Sequence, residues 1–422
     1  MIENILNKNL QYNLLSLLKA FLGFIFIILL GKKFGIGEET DIYFLAIMII
    51  TYLGYFIQSL WEAMPQYYIA ARIKNKEQAS KIYSILLNDL LIVSIFIIIL
   101  YFIISENFNI LSAQNKNFLD IYIFLLIFQN ILFINKGVLN SEHFYASFYI
   151  VDIFIYLLLL LALLLNENIS LVFIAYTALF ATILSNIGQF YLIFYKIKLS
   201  YRFQFYDETL DEIYKNSIKL KIGSLFYGIK DIIIPLVFTS FGVGTYSLYS
   251  YANKFASVVV QIINTPIMGV FSTKINYIVA NREYNKIKEN ITQVLYQTVV
   301  LFSLSILIVY FILPYVLNTF FEGKFTSIDI SNIIDIFLFM SIFYFIWVFQ
   351  SPYGRLITVF KLFDYGIYTN ILFAFCISIL YFLFKMFHFD YIYFLLGLSV
   401  SQFIQFLFIY NTTNHKIESF KK

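Results

Sequence analysis

Three lysines lie inside long apolar stretches of the sequence, where few other charged residues occur: Lys19, Lys230 and Lys254. A charge in the middle of a bilayer costs at least about 2.5–3.5 kcal/mol on insertion scales. If these stretches cross a membrane, each ammonium group must pair with a carboxylate, extend to the membrane surface, or face a water-filled cavity. In a cavity, such groups would act as counter-charges for an anion such as a phosphorylated head group.

Two of the lysines have an alternative interpretation that involves no ligand. Lys19 lies near the start of its apolar stretch and can extend to the membrane surface, while Lys230 can pair with the adjacent Asp231. Lys254 has no neighbouring carboxylate in the sequence. We therefore predict that Lys19, Lys230 and Lys254 line a cationic substrate cavity.

Several acidic and amide side chains also lie within or beside the apolar stretches. Asp231 and Asn370 are candidate ligands for a coupled cation, either Na⁺ or H⁺. Four others are interpreted as hydrogen-bonding groups between helices, with an ion site as the alternative: Asn88, Asp89, Asp152 and Asp335. Asp41 stands at the start of an apolar stretch, and Thr326 precedes Asp329 with capping-box spacing, so both positions predict helix N-termini.

The motifs of common enzymes are absent from the sequence. There is no GxxxxGK[ST], no GxSxG and no HExxH. The single cysteine, Cys376, excludes an intrachain disulfide, and the three histidines are too far apart in sequence to predict a metal site. The net charge of +4 is too small and dispersed to indicate nucleic-acid binding. We predict a protein that is not an enzyme and holds no metal or resident cofactor.

The composition indicates that most of the surface faces lipid. Of the 422 residues, 61% are apolar and only 13% are charged, and the mean hydropathy is +0.80. Soluble domains are closer to half apolar and a quarter charged. One water-facing body of this size cannot bury such an excess, so a cytosolic enzyme, a secreted disulfide module and a disordered scaffold are all excluded.

Long apolar runs in lipid form helices, because only a helix or a closed barrel satisfies its own backbone there. Twelve runs are long enough to cross a bilayer: about 12–31, 42–61, 82–104, 118–138, 144–165, 170–194, 220–241, 246–271, 291–316, 328–350, 366–387 and 391–410. The predicted fold class is therefore an all-α integral membrane protein with about twelve transmembrane helices.

The loops between these spans are asymmetric in charge. Those on the side of the N-terminus hold 21 of the 29 Lys and Arg residues, and those on the opposite side hold five. By the positive-inside rule, both termini are predicted to be cytoplasmic, in the cell (inner) membrane. The predicted division is an N-terminal lobe of residues 1–195, an amphipathic cytoplasmic linker of residues 196–219 with a helix at 207–215, and a C-terminal lobe of residues 220–422.

The two halves of the sequence resemble each other. Residues 68–103 align without a gap on residues 277–312, with 11 identities in 36 positions. Phe34–Gly37 (Phe-Gly-Ile-Gly) recurs as Phe241–Gly244 (Phe-Gly-Val-Gly), between the first and second spans of each half. An even number of spans gives both halves the same orientation, so we predict six-helix lobes related by a pseudo-two-fold axis, with a central substrate cavity between them.

Four stretches resemble the MurJ/MviN-type lipid II flippases of the MOP superfamily (multidrug, oligosaccharidyl-lipid and polysaccharide exporters). Gly31–Ala46 is similar to the family's FGxGxxTDxFxxA turn between helices 1 and 2, and Arg202–Asp207 is similar to its RxNFxD entry to helix 7. Tyr251–Phe255 is similar to the YADRL-type stretch of helix 8, and Gly323–Asp329 matches a GKFTxxD turn before helix 10.

The resemblance implies two lobes that form a V around a cationic cavity, and flipping of an undecaprenyl-diphosphate-linked sugar to the outer leaflet. Lys254 stands where the family has a cavity arginine, and Asp41 matches an acidic residue of the first turn. The family's arginines around the glycine equivalent to Gly23 are absent, as are its paired arginines around Gly54. Family members often have fourteen helices, whereas twelve are predicted here.

The sequence thus predicts a flippase for a lipid-linked saccharide diphosphate that works by alternating access, with Lys19, Lys230, Lys254 and Asp41 as substrate-binding residues. The cargo is lipid II or a related unit, such as a capsule or O-antigen repeat. Expected partners are this lipid-linked saccharide, membrane lipids, and the assembly enzymes of polysaccharide or peptidoglycan. The alternatives are a multidrug cation antiporter of the same superfamily and a non-transporting membrane scaffold for polysaccharide assembly.

Overall fold

The computed structural model describes residues 2–107, 113–321, 323–360 and 362–419, and the described residues contain no β-strand. Thirteen α-helices occur in them: α1 (Ile2–Phe34), α2 (Glu38–Lys74), α3 (Lys76–Asn107), α4 (Ala113–Tyr122), α5 (Leu125–Ser141), α6 (Tyr145–Leu165), α7 (Leu171–Tyr191), α8 (Glu208–Thr239), α9 (Thr245–Ala280), α10 (Asn285–Phe320), α11 (Ser327–Val359), α12 (Phe363–Phe387) and α13 (Tyr391–Ser419). A π-helical turn, Leu192–Lys196, extends α7.

The prediction of an all-α membrane protein with about twelve spans is confirmed. Among the described residues, eleven helical segments are long and apolar enough to cross a membrane. The second predicted span, 42–61, lies in α2, where the side chains of residues 55–67 are outside the described part of the chain. The fourth predicted span differs in detail, because α4 and α5 are separated at residues 123–124 by a short turn with 3₁₀-type hydrogen bonds.

Many helices are longer than the apolar runs that predict them. The run 246–271 lies within the 36 residues of α9, which correspond to about 54 Å of helix against about 30 Å of hydrocarbon. The remaining residues of α9 extend the helix past the length that the hydrocarbon core requires. The capping box predicted at the start of α11 is confirmed, with Thr326 as the N-cap and Asp329 bonding back to the Thr326 backbone.

The chain forms two compact units. The first comprises residues 1–33 and 42–221, and the second comprises residues 34–41 and 222–422. The turn between α1 and α2 therefore groups with the second unit. In the first unit α5 packs on α3 and α7, and α6 packs on α7; in the second, α11 packs on α10 and α13, and α12 packs on α13. The same pairing of spans recurs in both units, as an internal repeat requires.

A hydrophobic core holds each unit together through these pairings. In the first unit Tyr83, Leu86 and Ile134 are fully buried against Ile193 of the π-helical turn. In the second unit α9, α11 and α13 bury a comparable cluster that includes Ile275, Leu356 and Ile417. Burial of such side chains contributes roughly 1.5–3 kcal/mol each in water-based scales, and in lipid it contributes through close packing instead.

The segment that follows α7 is extended and lies along α3. Three polar residues spaced four apart on α3, Ser80, Ser84 and Asn88, bond to its backbone at Ser200, Arg202 and Gln204. We call residues 197–207 the strap. The structure differs from the predicted amphipathic linker here, because the stretch predicted as a separate helix at 207–215 is the start of α8, which continues without interruption from Glu208 to Thr239.

Candidate functional site

Lys19 of α1 lies in an ion-pair cluster of the first unit. Its ammonium nitrogen is 2.7 Å from Oδ2 of Asp152 on α6, and Oδ1 of the same carboxylate is 2.6 Å from the ammonium of Lys136 on α5. The Lys136 side chain is 3% exposed, whereas that of Lys19 is 35% exposed. One carboxylate thus serves two lysines, and the cluster carries a net charge of +1.

Lys230 of α8 lies in the second unit and pairs with its neighbour in sequence. Its ammonium is 2.6 Å from Oδ1 of Asp231 and 5.0 Å from the centre of the Tyr227 ring. The other carboxylate oxygen of Asp231 is buried and has no hydrogen-bond partner in the described part of the chain. The pairing alternative considered for Lys230 is therefore the arrangement observed.

Lys254 is half-buried on α9, within the second unit. Its neighbours in sequence, Tyr251 and Phe255, are buried, and the Asn253 side chain accepts a hydrogen bond of 2.8 Å from Tyr344. Within the ranges that the structure describes, no carboxylate lies within 4 Å of the Lys254 ammonium. Lys254 therefore differs from Lys19 and Lys230, since these two each contact a carboxylate and Lys254 contacts none among the described residues.

Asp41 is buried at the start of α9. Its Oδ2 accepts a hydrogen bond of 2.6 Å from the Gly244 backbone, and its Oδ1 accepts bonds from the backbone and the hydroxyl of Ser247, at 2.7 and 2.5 Å. A carboxylate at a helix N-terminus satisfies free N–H groups and interacts favourably with the helix dipole. The substrate-binding role predicted for Asp41 would require these bonds to break.

The two candidate ligands for a coupled cation lie apart. Asn370 of α12 accepts a hydrogen bond of 2.9 Å from Gln405, and its amide nitrogen would be 3.2 Å from a Cβ placed on Gly223 of α8. Gly223 and Asp231 are eight residues apart on the same helix, which corresponds to about 12 Å. Among the described residues no cluster of three metal-ligating side chains occurs. Asp231 pairs with Lys230 through one carboxylate oxygen, and the assignment of Asp231 and Asn370 to a coupled cation stays a prediction.

The structure also brings together polar residues that sequence reasoning did not connect. Lys136 lies near the end of the predicted span 118–138, and it is buried on α5 beside Asp152. The sequence does contain a signal for this pairing. Lys136 and Asp152 lie a similar number of positions from the short turn between Ser141 and Tyr145, and two antiparallel helices place such positions at the same level along their axes. A second cluster joins the amides of Gln350, Gln402, Gln405 and Asn370 in the second unit.

Comparison with known proteins identifies the fold. No protein-family model and no curated protein sequence matches the chain. Among solved structures, the lipid II flippase MurJ in an inward closed conformation matches with a TM-score of 0.79 and 18% identity, covering 96% of this chain and 87% of that one. An inward-facing multidrug resistance MATE family transporter of the MOP superfamily matches with a TM-score of 0.77 and 14% identity, covering 97% and 95%.

A third match concerns a transporter with a different binding pocket. It is a MOP superfamily transporter from Pyrococcus furiosus, with a TM-score of 0.71, 14% identity and coverage of 98% and 96%, for which a reversed polarity of the binding pocket suggests a different function. All three identities are low, so the likeness concerns the fold. The predicted resemblance is confirmed at that level, and this multi-pass membrane protein has the fold shared by MurJ and the MATE transporters of the MOP superfamily.

Proposed function

We propose that the chain is a flippase for a lipid-linked saccharide diphosphate, which it moves from the inner to the outer leaflet by alternating access. The observation that carries this proposal is Lys254, a half-buried lysine in an apolar helix with no carboxylate within 4 Å among the described residues. A charge in such a place needs compensation from a water-filled cavity, from the membrane surface or from a ligand. A phosphoryl anion that enters and leaves during transport supplies that compensation.

The chemistry of lysine fits a transported cargo. An ammonium group acts as a mobile point charge, whereas arginine binds phosphate through a rigid two-pronged contact. Lysines therefore attract a diphosphate without holding it in one fixed geometry, which favours release on the far side. Lys19 and Lys230 stay proposed substrate-binding residues, but each must share its charge with Asp152 or Asp231.

Outward movement of an anion does not require a nucleotide. An inside-negative membrane potential favours it by about 2.3 kcal/mol per charge for each 100 mV. A coupled cation, either Na⁺ or H⁺, is the alternative, with Asp231 and Asn370 as the candidate residues.

The cargo class is an undecaprenyl-diphosphate-linked saccharide. Lipid II is one member, and a capsule or O-antigen repeat unit is another that fits the loss of the family arginines near Gly23 and Gly54. In either case the partners are the membrane-associated enzymes that build the saccharide on the inner leaflet and polymerise it on the outer leaflet.

A multidrug cation antiporter is the second candidate. Two observations favour it: the likeness to a MATE transporter, and the buried carboxylate oxygen of Asp231 that has no hydrogen-bond partner in the described residues. Lys230 neutralises that carboxylate, however, and the unbalanced charge at Lys254 is positive. A positive site repels cationic drugs, so we favour the anionic cargo over this candidate and over a non-transporting scaffold.

Reconstitution tests the proposal directly. Purified protein in liposomes is given a fluorescent undecaprenyl-diphosphate saccharide, and transfer between leaflets is followed by quenching from outside. We expect transfer by the wild type, a loss of about tenfold or more in Lys254→Gln, and retention in Lys254→Arg, which keeps the charge. Lys288→Gln, at an exposed position of α10, is the matched control. Full transfer by the triple variant Lys19→Gln, Lys230→Gln, Lys254→Gln in a folded state would refute the proposal.

A further inference from the structure

The ion-pair cluster in the first unit has one fixed pair and one exchangeable member. Lys136 is almost fully buried, its ammonium is 2.6 Å from Asp152, and it also lies 4.8 Å from the centre of the Phe148 ring. Both residues belong to helices joined by a short turn. A buried charge must keep its partner. We therefore treat Lys136 and Asp152 as a permanent, electrically neutral pair.

Lys19 is then the source of the net positive charge. An ammonium group has three N–H donors, and the structure gives Lys19 one hydrogen-bonding partner among the described residues, the Oδ2 atom of Asp152. Its side chain is 35% exposed, so the remaining donors can be reached. Because Asp152 is shared with Lys136, the charge of Lys19 lacks a counter-ion of its own among the described residues of this unit.

The hydroxyl of Tyr156 lies near the faces of α6 and α1 that carry Asp152 and Lys19. Tyr156 follows Asp152 by four residues on α6, and Gly23 follows Lys19 by four residues on α1. A Cβ placed on Gly23 would be 3.3 Å from the Tyr156 hydroxyl, so this hydroxyl sits directly against α1, one turn from Lys19. Lys19 and Tyr156 also interact electrostatically. The Lys19 ammonium and the Tyr156 hydroxyl are thus two hydrogen-bond donors beside the same part of α1. Two such donors are suited to binding an oxyanion.

We propose that Lys19 and Tyr156 form an oxyanion subsite for a phosphoryl group, with Lys136 and Asp152 as positioning residues that set its net charge at +1. This inference rests on the proposed function, because it assigns the phosphorylated head of the cargo to a place in the first unit. Lys136 acts without touching the ligand. It neutralises Asp152, and so leaves the charge of Lys19 available.

The net charge of the cluster provides a test of the positioning role of Lys136. Replacing Lys136 by Met leaves Asp152 paired with Lys19 alone, so the net charge of the cluster falls to zero although the ligand-facing atoms are unchanged. Adding Asp152→Asn removes the carboxylate and restores a net charge of +1. Binding should therefore be lost in Lys136→Met and recovered in the double variant Lys136→Met, Asp152→Asn.

The experiment measures equilibrium binding of undecaprenyl diphosphate and of inorganic diphosphate to the full chain in detergent, at several salt concentrations. We expect Lys19→Gln and Lys136→Met to weaken binding of both probes by about tenfold and to flatten its salt dependence. Lys19→Arg and the double variant should bind within about threefold of the wild type. Tyr156→Phe should lose a smaller factor, and Lys33→Gln, elsewhere on α1, should lose none. Thermal melting identifies any variant that does not fold.

The outcomes separate the sources of the phosphoryl group and the two levels of the proposal. A Lys19-dependent signal with phosphatidylglycerol vesicles alone would keep the subsite and identify bulk phospholipid as its ligand. The subsite would be overturned if neither Lys19→Gln nor Lys136→Met weakened binding of the probes. It would also be overturned if the folded double variant still bound them weakly. Both conclusions hold even if lipid-linked saccharide is transported. Binding that depends on Lys19, without transport, would support the subsite and contradict the proposed flippase function.

Discussion

Asp41 and Ser247 are separated by 206 positions in the sequence, yet the carboxylate of one receives both the backbone N–H and the hydroxyl of the other, at 2.7 and 2.5 Å. Asp41 thereby caps α9 from the turn that joins α1 to α2. The Ser247 hydroxyl also lies 2.8 Å from that of Thr40, and Tyr251 donates to the Gly35 carbonyl at 3.3 Å. The turn is thus fastened to the start of α9 at several points.

Removal of the Asp41 carboxylate should destabilise the protein. Asp41→Ala leaves the Gly244 and Ser247 backbone donors buried without partners, and loss of an N-terminal cap costs about 0.5–2 kcal/mol. We expect a lower melting temperature for purified Asp41→Ala. Asp390→Ala, which removes an exposed cap with one backbone donor, should cost less. Equal melting temperatures for the two variants would show that the buried cap contributes no more stability than the exposed one.

The Lys230–Asp231 pair should behave as a coupled unit. Removing one partner of a buried pair leaves an uncompensated charge and costs about 3–5 kcal/mol, and the partial exposure of both side chains places this pair at or below the low end of that range. We expect Lys230→Gln and Asp231→Asn each to lower the melting temperature, and the double variant to lower it by less than their sum. Additive effects in this cycle would argue that the two groups are energetically independent.

The polar residues of α3 should hold the strap in place. Ser84 bonds the backbone of Arg202 at 3.0 Å, and Asn88 bonds that of Gln204 at 2.9 Å and the hydroxyl of Tyr201 at 2.5 Å. We expect Ser84→Ala with Asn88→Ala to speed amide hydrogen exchange in residues 197–207 by about tenfold. Ser105→Ala, at the opposite end of α3, is the control and should leave that exchange unchanged.

Gly244 should tolerate no side chain. Its φ is +87°, and a Cβ there would come within 2.7 Å of the Ile36 side chain. Gly244→Ala adds a steric clash to backbone strain of about 1–2 kcal/mol, whereas Gly242→Ala, with φ +121° and open space around it, adds strain alone. Thermal melting should therefore rank the wild type above Gly242→Ala, and Gly242→Ala above Gly244→Ala. Gly269→Ala, in a helix with open space, should melt no lower than the wild type.

The presence of the helices follows from the sequence, because helix formation depends on neighbouring residues. Apolar runs of about 20 residues predict the spans, and spacing of Thr326 and Asp329 predicts a capped start for α11. The repeat of residues 68–103 at 277–312 likewise anticipates the common pairing of helices in the two units. The breaks are less predictable, since the turn between α4 and α5 and the π-helical turn after α7 have no glycine or proline to mark them.

The partner of each charged group, in contrast, is decided by the tertiary structure. The sequence shows that Lys19, Lys230 and Lys254 need compensation, but it does not show that Asp152 reaches Lys19 across 133 positions and also pairs with Lys136. The sequence also predicts a helix cap at Asp41 without revealing that the helix it caps is α9. The reason is physical. Helix formation in lipid is a local requirement of the backbone, whereas the pairing of buried charges depends on which helix faces pack together.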